Sequence, residues 1–268
     1  MIGFIGAGNM ASALIRGMIK GGADPKELAA HDRTARQLEK LSDTEIHLYD
    51  TMQEMLQKVS ILVIAVKPKD CAAALETIVS QKWQGALVSI AAGWTQKQIE
   101  VQIAGSSIKE VACVMPNTPA LVGEGVIACN DNHTLSIDTL KAFTEYFSFC
   151  GEVIFVPENL FHAVIGTSGS GPAYMYILME AMADAAVREG LPREMAYKMA
   201  AQTMKGAAEM VLISGQHPAA LKDAVCSPAG TTIEAVAMLE KTGLRSAVMV
   251  AVRACAQKAQ AMTNGQKG

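Results

Sequence analysis

The sequence predicts an α/β chain, with a doubly wound sheet in its N-terminal part and an all-α C-terminal domain. Three observations carry that prediction. The first half alternates short apolar runs with segments of helical period, which is the pattern of strands joined by crossover helices. Strand signals stop after Val156, and from Gly171 onward the pattern is helical throughout. The length of 268 residues exceeds that of a usual single domain, and 50% hydrophobic against 18% charged residues gives enough apolar surface for two cores.

The strands are expected at "IGFIG" (2–6), "LAAH" (28–31), "ILVIAV" (61–66), "ALVSIAA" (86–92) and "EVACVM" (110–115), each too short for a helix. A parallel sheet follows from the helices between them. "NMASALIRGMIKGG" is one, stopping at Gly21 and Gly22; "TQKQIEVQIAG" is another, with Thr95 and Gln98 spaced as a capping box. "GVIAC" and "GEVIFV" add two strands around a helix opened by Ser136. The domain boundary is placed near Pro157, giving residues 1–157 and 158–268. In the second domain, "AYMYILMEAMADAAV" and "EMAYKMAAQTMKGAAEMVLI" carry Ala and Met on more than one face. Either they form the domain's own core or they meet a second subunit; the latter is favoured, because so short a domain makes a small core.

Composition excludes several functions. With 23 basic and 26 acidic residues the net charge is -3, and no Lys/Arg block provides a nucleic-acid footprint. No apolar run approaches the ~20 residues of a membrane span, and "MIGFIGAGNM" starts a strand pattern where a signal peptide would need a charged region, so a cytoplasmic location is expected. The six cysteines and five histidines show no zinc-type spacing. Reduced, mostly buried thiols and no metal site are expected.

"GFIGAGNMASAL" sets Gly6, Gly8 and Ala11 as G-x-G-x-x-A between a strand and a helix, the arrangement that seats a pyrophosphate on a helix N-terminus. The first domain is therefore read as Rossmann-like and dinucleotide-binding. Asp32, 26 positions after Gly6, lies where a carboxylate would bind the adenosine ribose, whereas Arg33 favours a 2′-phosphate that Asp32 would repel unless turned to solvent. Lys67 and Pro68 of "AVKPKD", "SIAAG", and Asn117 and Thr118 of "VMPNTPA" end three further strands on the same ligand edge, suggesting a floor under a flat ring.

"GTSGSGPAYMY" opens the helical domain, with Ser170 or Gly171 as cap and Pro172 in the first turn. Its paired glycines and serines leave the backbone open to a ligand or to the first domain. In "SPAGTTIEAV", Thr231 and Glu234 satisfy T-x-x-E, so Thr231 is expected to cap a helix while Thr232, at its first position, keeps its hydroxyl free. The small residues ahead of that cap let a carboxylate reach exposed backbone N–H groups.

The ordered blocks "GFIGAGNM", "AVKP", "SIAAG", "MPNTPA", "SGSGPAY", "EAMADAAV" and "SPAGTTIEAV" resemble pyrroline-5-carboxylate reductase over nearly the whole chain. The resemblance implies reduction of 1-pyrroline-5-carboxylate to L-proline, with NADPH as cofactor and NADH as the other candidate, in a homodimer or an oligomer of dimers. It implies that Thr232 hydrogen-bonds the ring nitrogen, that Gly230, Thr231 and Thr232 hold the carboxylate, and that Ser168, Ser170 and Glu158 line the substrate pocket. Cofactor contacts are expected at Gly6, Ala7, Gly8, Asn9, Met10, Arg33, Ala65, Val66, Lys67, Pro68, Ala91, Ala92 and Asn117. The chain departs from the family at Asp32, where Asn or Ser is frequent, which weighs against strict NADPH preference, and at Ala229, where a second glycine is common. Two rival readings are a 3-hydroxyacid dehydrogenase, which needs a lysine that "SGSGPAYMYILMEA" lacks, and a non-catalytic dinucleotide sensor, which has no use for "SPAGTT".

Overall fold

The computed structural model describes residues 1–265. Met1–Ser170 and the described residues from Ala254 onward form one compact unit; Gly171–Arg253 form a second.

The first unit runs β1 (Ile2–Ile5), α1 (Asn9–Gly21), β2 (Leu28–His31), α2 (Ala35–Glu39), β3 (His47–Leu48), α3 (Met52–Leu56), β4 (Ile61–Ile64), α4 (Cys71–Ser80), β5 (Ala86–Ser89), α5 (Gln96–Gln102), β6 (Glu110–Pro116), β7 (Gly125–Asn130), α6 (Ile137–Ser148), β8 (Gly151–Val156) and α7 (Phe161–Val164). The strand order is β3-β2-β1-β4-β5-β6-β7-β8. The first six strands are parallel in the doubly wound order. β1 lies between β2 and β4, with Ile2 opposite Leu28 on one side and Ile61 on the other. Helices cover both faces, so all four residues of β1, β2, β4 and β5 are buried and the strands are apolar on both faces except at their last positions, where His31 and Ser89 are buried polar residues. Phe4, Leu28 and Val63 pack on the side of α1 and α6; Ile5, Leu62 and Ile64 pack on the side of α3, α4 and α5.

The sheet is not wholly parallel. β7 runs antiparallel to β6, and β8 is parallel to β7. Between β6 and β7 lies only a short link containing a 3-10 turn, Thr118–Val122, whereas a parallel crossover needs a dozen or more residues. The predicted caps form: Gly22 closes α1, Thr95 and Gln98 make the capping box of α5, and the Ser136 side chain accepts from Thr139 N–H at the start of α6. After α7 the chain makes one π-helical turn, Ile165–Gly169, closed by Ser170 N–H donating to the Ile165 carbonyl at 2.8 Å.

The second unit contains α8 (Gly171–Arg188), α9 (Arg193–Ser214), α10 (Pro218–Val225), α11 (Thr231–Lys241) and the first part of α12 (Leu244–Gly265). α8 packs along α9. α8 buries only Gly171 and Ala183, α9 buries Ala196 and Ala200, and α10 and α11 bury no residue. Meanwhile Tyr176, Ile177, Met199, Leu212 and Ile213 stand exposed. That much uncovered apolar helix marks an interaction surface. Among the described residues no helix is long and apolar enough to cross a membrane.

Candidate active site

β1 ends at Ile5 and α1 begins at Asn9, so Gly6, Ala7 and Gly8 make the turn between them. Gly6 has φ +95° and sits against the Ala65 backbone, where a Cβ would collide; its N–H donates to the His31 carbonyl at 2.8 Å. Gly8 is the N-cap of α1, no side chain caps that end, and nothing lies within 4 Å of where its Cβ would be. The first position needs glycine for conformation and the second for access. Together they leave the N-terminal amides of α1 open to a phosphate. Asn9 is exposed on the first turn, and Met10 packs partly against the core.

Asp32 has a role the sequence did not reveal. Its Oδ2 accepts from Ala7 N–H and its Oδ1 from Thr34 N–H, both at 2.8 Å. The carboxylate therefore ties the glycine turn to the end of β2 while still lining the cleft beside it. Arg33 next to it is exposed, and its Nη2 donates to Asp70 Oδ1 at 3.0 Å. A cleft of about 440 Å³ opens here, lined among others by Gly6, Gly8, Arg33, Ala65, Val66 and Lys67. Backbone donors at a helix start, flanking cations and this volume fit the adenosine and pyrophosphate portion of a dinucleotide. Asp70 also lines the cleft; no motif marked it, because its partner lies 37 residues away.

Further along the same sheet edge, Pro68 opens a 3-10 turn whose carbonyl accepts from Trp94 Nε1 at 2.9 Å. Ala91 and Ala92 follow β5; Ala91 is buried, its N–H donating to Ser89 Oγ at 3.3 Å. A second cavity of about 320 Å³ lies against Ser89, Ala91, Cys113, Met115 and Glu158. Glu158 Oε1 accepts from Gln96 N–H at 2.6 Å, placing a carboxylate on the positive end of α5. Asn117 is buried; its Oδ1 accepts from Val126 N–H at 2.9 Å and its Nδ2 donates to the Ser168 carbonyl at 3.0 Å. It braces the π turn to the sheet. Ser168 Oγ donates to the Val164 carbonyl, and Ser170 Oγ accepts from the Cys255 thiol at 3.1 Å. Burial, reinforced by the charge of Glu158, pushes the Cys113 thiol up. Burial likewise pushes Cys71, Cys129 and Cys150 to about 12. Among the described residues no group of three or more His, Cys, Asp or Glu could hold a metal.

In the second unit, the start of α11 corrects the predicted cap. Gly230 is the N-cap, Thr231 is the first helical residue and Thr232 the second, and no side chain caps the helix. The T-x-x-E box therefore does not form. A turn closed by Gly230 N–H on the Ser227 carbonyl, with Ala229 in the left-handed region at φ +57°, delivers Gly230 already extended and starts the helix one residue early. With no hydroxyl at the cap, the first-turn amides lack a side-chain acceptor. Thr231 is exposed and Thr232 half-buried. An anion at such a helix start is stabilised by about 0.3–1 kcal/mol at a surface and up to about 2 when partly buried.

Residues 158–262 match the family model described as pyrroline-5-carboxylate reductase dimerisation, and residues 1–93 match that of NADP oxidoreductase coenzyme F420-dependent. The chain is 41% identical over 265 residues to the pyrroline-5-carboxylate reductase of Escherichia coli strain K12, covering 98% of both chains. It is 36% identical to that of Arabidopsis thaliana, covering 98% of this chain and 95% of the relative. A solved structure of Plasmodium falciparum pyrroline carboxylate reductase with NADP bound superposes with TM-score 0.85 at 32% identity, covering 98% and 97% of the two chains. Likeness of this degree, running through both the glycine turn and the α11 helix start, makes the chain a member of the pyrroline-5-carboxylate reductase family.

Proposed function

We infer that the protein catalyses the NAD(P)H-dependent reduction of 1-pyrroline-5-carboxylate to L-proline, the final step of proline synthesis. One observation carries this reading: near-full-length kinship with reductases of that name in a chain that has both a dinucleotide turn and a helix start left open for a carboxylate. The matched dimerisation family and the uncovered apolar faces of α8 and α9 make the protein a homodimer. We also propose that the dimers assemble further, that the protein works in the cytoplasm, and that the functional division falls at 1–157 and 158–268. The dimerisation match beginning at residue 158 supports that division, although the packing units divide at Ser170 and Ala254.

The site residues are proposed as follows. Gly6, Ala7, Gly8, Asn9 and Met10 present the α1 amides to the pyrophosphate, with Arg33, Ala65, Val66, Lys67 and Pro68 around the adenosine and Ala91, Ala92 and Asn117 further along the sheet edge. The Thr231 and Thr232 amides hold the substrate carboxylate, since no side chain caps that helix start, and Gly230, whose own N–H is held by the Ser227 carbonyl, leaves room beside them. The Thr232 hydroxyl hydrogen-bonds the ring nitrogen and fixes the angle at which the imine carbon is presented; Ser168, Ser170 and Glu158 bound the pocket. Bound reduced nicotinamide supplies the hydride, and protonation of the ring nitrogen makes the neighbouring carbon electrophilic. Holding distance and angle is then the chain's main contribution, and little acid-base machinery is required.

The test is turnover by the purified protein with 1-pyrroline-5-carboxylate and each nicotinamide cofactor. Equal amounts of cofactor oxidised and proline formed are expected. Absence of proline, with oxidation of a 3-hydroxy acid instead, would overturn the reading.

A further inference from the structure

We propose that Asp70 sets the balance between NADPH and NADH in this chain, by engaging the guanidinium that a 2′-phosphate would recruit and by adding a negative charge beside it. The inference rests on reading the cleft at the glycine turn as the dinucleotide site. Asp70 ends the 3-10 turn Pro68–Asp70 and enters α4 with its backbone already helical, so its side chain caps nothing. It reaches to Arg33, with Nη2 and Oδ1 3.0 Å apart.

The rest of the neighbourhood isolates that contact. The other carboxylate of the cleft, Asp32, is held by Ala7 N–H and Thr34 N–H rather than by Arg33, and its charge is the same in every variant compared. Asp70 is the better anchored partner, its side chain 27% exposed against 74% for Arg33. An arriving 2′-phosphate must draw Arg33 from Asp70 or share it, with the carboxylate still close by. NADH carries a hydroxyl at that place and meets neither cost. Because the ion pair is exposed it is weak, so Asp70 moderates NADPH binding without abolishing it. Lys67 and Lys69 line the same cleft and keep their charge when Asp70 is changed.

Dissociation constants of NADPH and NADH, measured by calorimetry at one ionic strength on wild type, Asp70→Asn and Arg33→Ala, test the proposal. Asp70→Asn should tighten NADPH about two- to tenfold, through loss of a weak competing pair and of a like charge near the phosphate. NADH affinity should move by less than about twofold on the same argument, and it also reports that the variant is folded. Arg33→Ala should weaken NADPH more than NADH. An unchanged ratio in Asp70→Asn, or weaker NADPH binding, while Arg33→Ala weakens NADPH as expected, would overturn the role of Asp70 and leave the dinucleotide reading standing. Indifference of NADPH to Arg33→Ala would likewise overturn the role of Asp70 alone, whereas no binding of either nucleotide to wild type would overturn the dinucleotide reading with it.

Discussion

Replacing Ala229 by glycine should stabilise the protein, because Ala229 holds φ at +57°. In that region the side chain of an L-residue crowds the following carbonyl, at a cost of about 1–2 kcal/mol that glycine escapes. Glycine also frees the unfolded chain, offsetting about 0.4–1 kcal/mol. The net expectation is a gain of about 0.5–1 kcal/mol. For a chain of this size that raises Tm by about 1–4 °C. Ala229→Val should go the other way by about 1 kcal/mol or more, since a β-branched residue is least tolerated at positive φ. Thermal and urea unfolding, run at one protein concentration because the protein is a dimer, should rank glycine above alanine above valine. A glycine variant less stable than wild type, or a valine variant equal to it, would show that no left-handed residue fixes the start of α11.

The other expectations concern the site and the titrating groups. Thr232→Ala should lower kcat about ten- to a thousandfold, the scale for losing one positioned donor, while NADPH binding survives; full activity would refute its role. Burial acts to raise the Glu110 carboxyl, but hydrogen bonds from Thr139 and from the N–H and hydroxyl of Ser136 outweigh it and hold the group below its ordinary value. Its contribution is thus complete above the ordinary carboxylate range and lost as pH falls through the lowered value. Glu110→Gln should therefore cost about 0.5–1.5 kcal/mol in urea unfolding at pH 7 and almost nothing at about pH 3; an equal cost at both would refute this. Cys71, Cys129 and Cys150, with thiols pushed to about 12, should resist a thiol reagent at about pH 8 until the protein unfolds, and rapid labelling of any of them would contradict the burial argument.

What could be read from the sequence was what depends on local chemistry. The buried parallel strands announce themselves as unbroken apolar runs, and α5 and α6 by hydroxyl caps that bond within three residues. The two-residue β3 and the five-residue α2 and α3 give no such signal, being too short to show a period. The strand β7 was read from its apolar run but not its antiparallel direction, which depends on the shortness of the link before it, and the cap of α11 depends on the backbone angle of one alanine. In the site, Gly6 and Gly8 were legible because the strand-turn-helix spacing marks them, the first required by its positive φ and the second keeping the helix start open. The duties of Asp32 and Asn117, and the Asp70–Arg33 pair, were not, because each depends on partners brought together by folding.

A crystal structure of the protein with L-proline bound addresses the central claim most directly. The account predicts the ligand's carboxylate oxygens within hydrogen-bonding distance of the Thr231 and Thr232 amides, with the ring nitrogen on the Thr232 hydroxyl. A proline seated elsewhere, leaving the α11 amides to water, would contradict it.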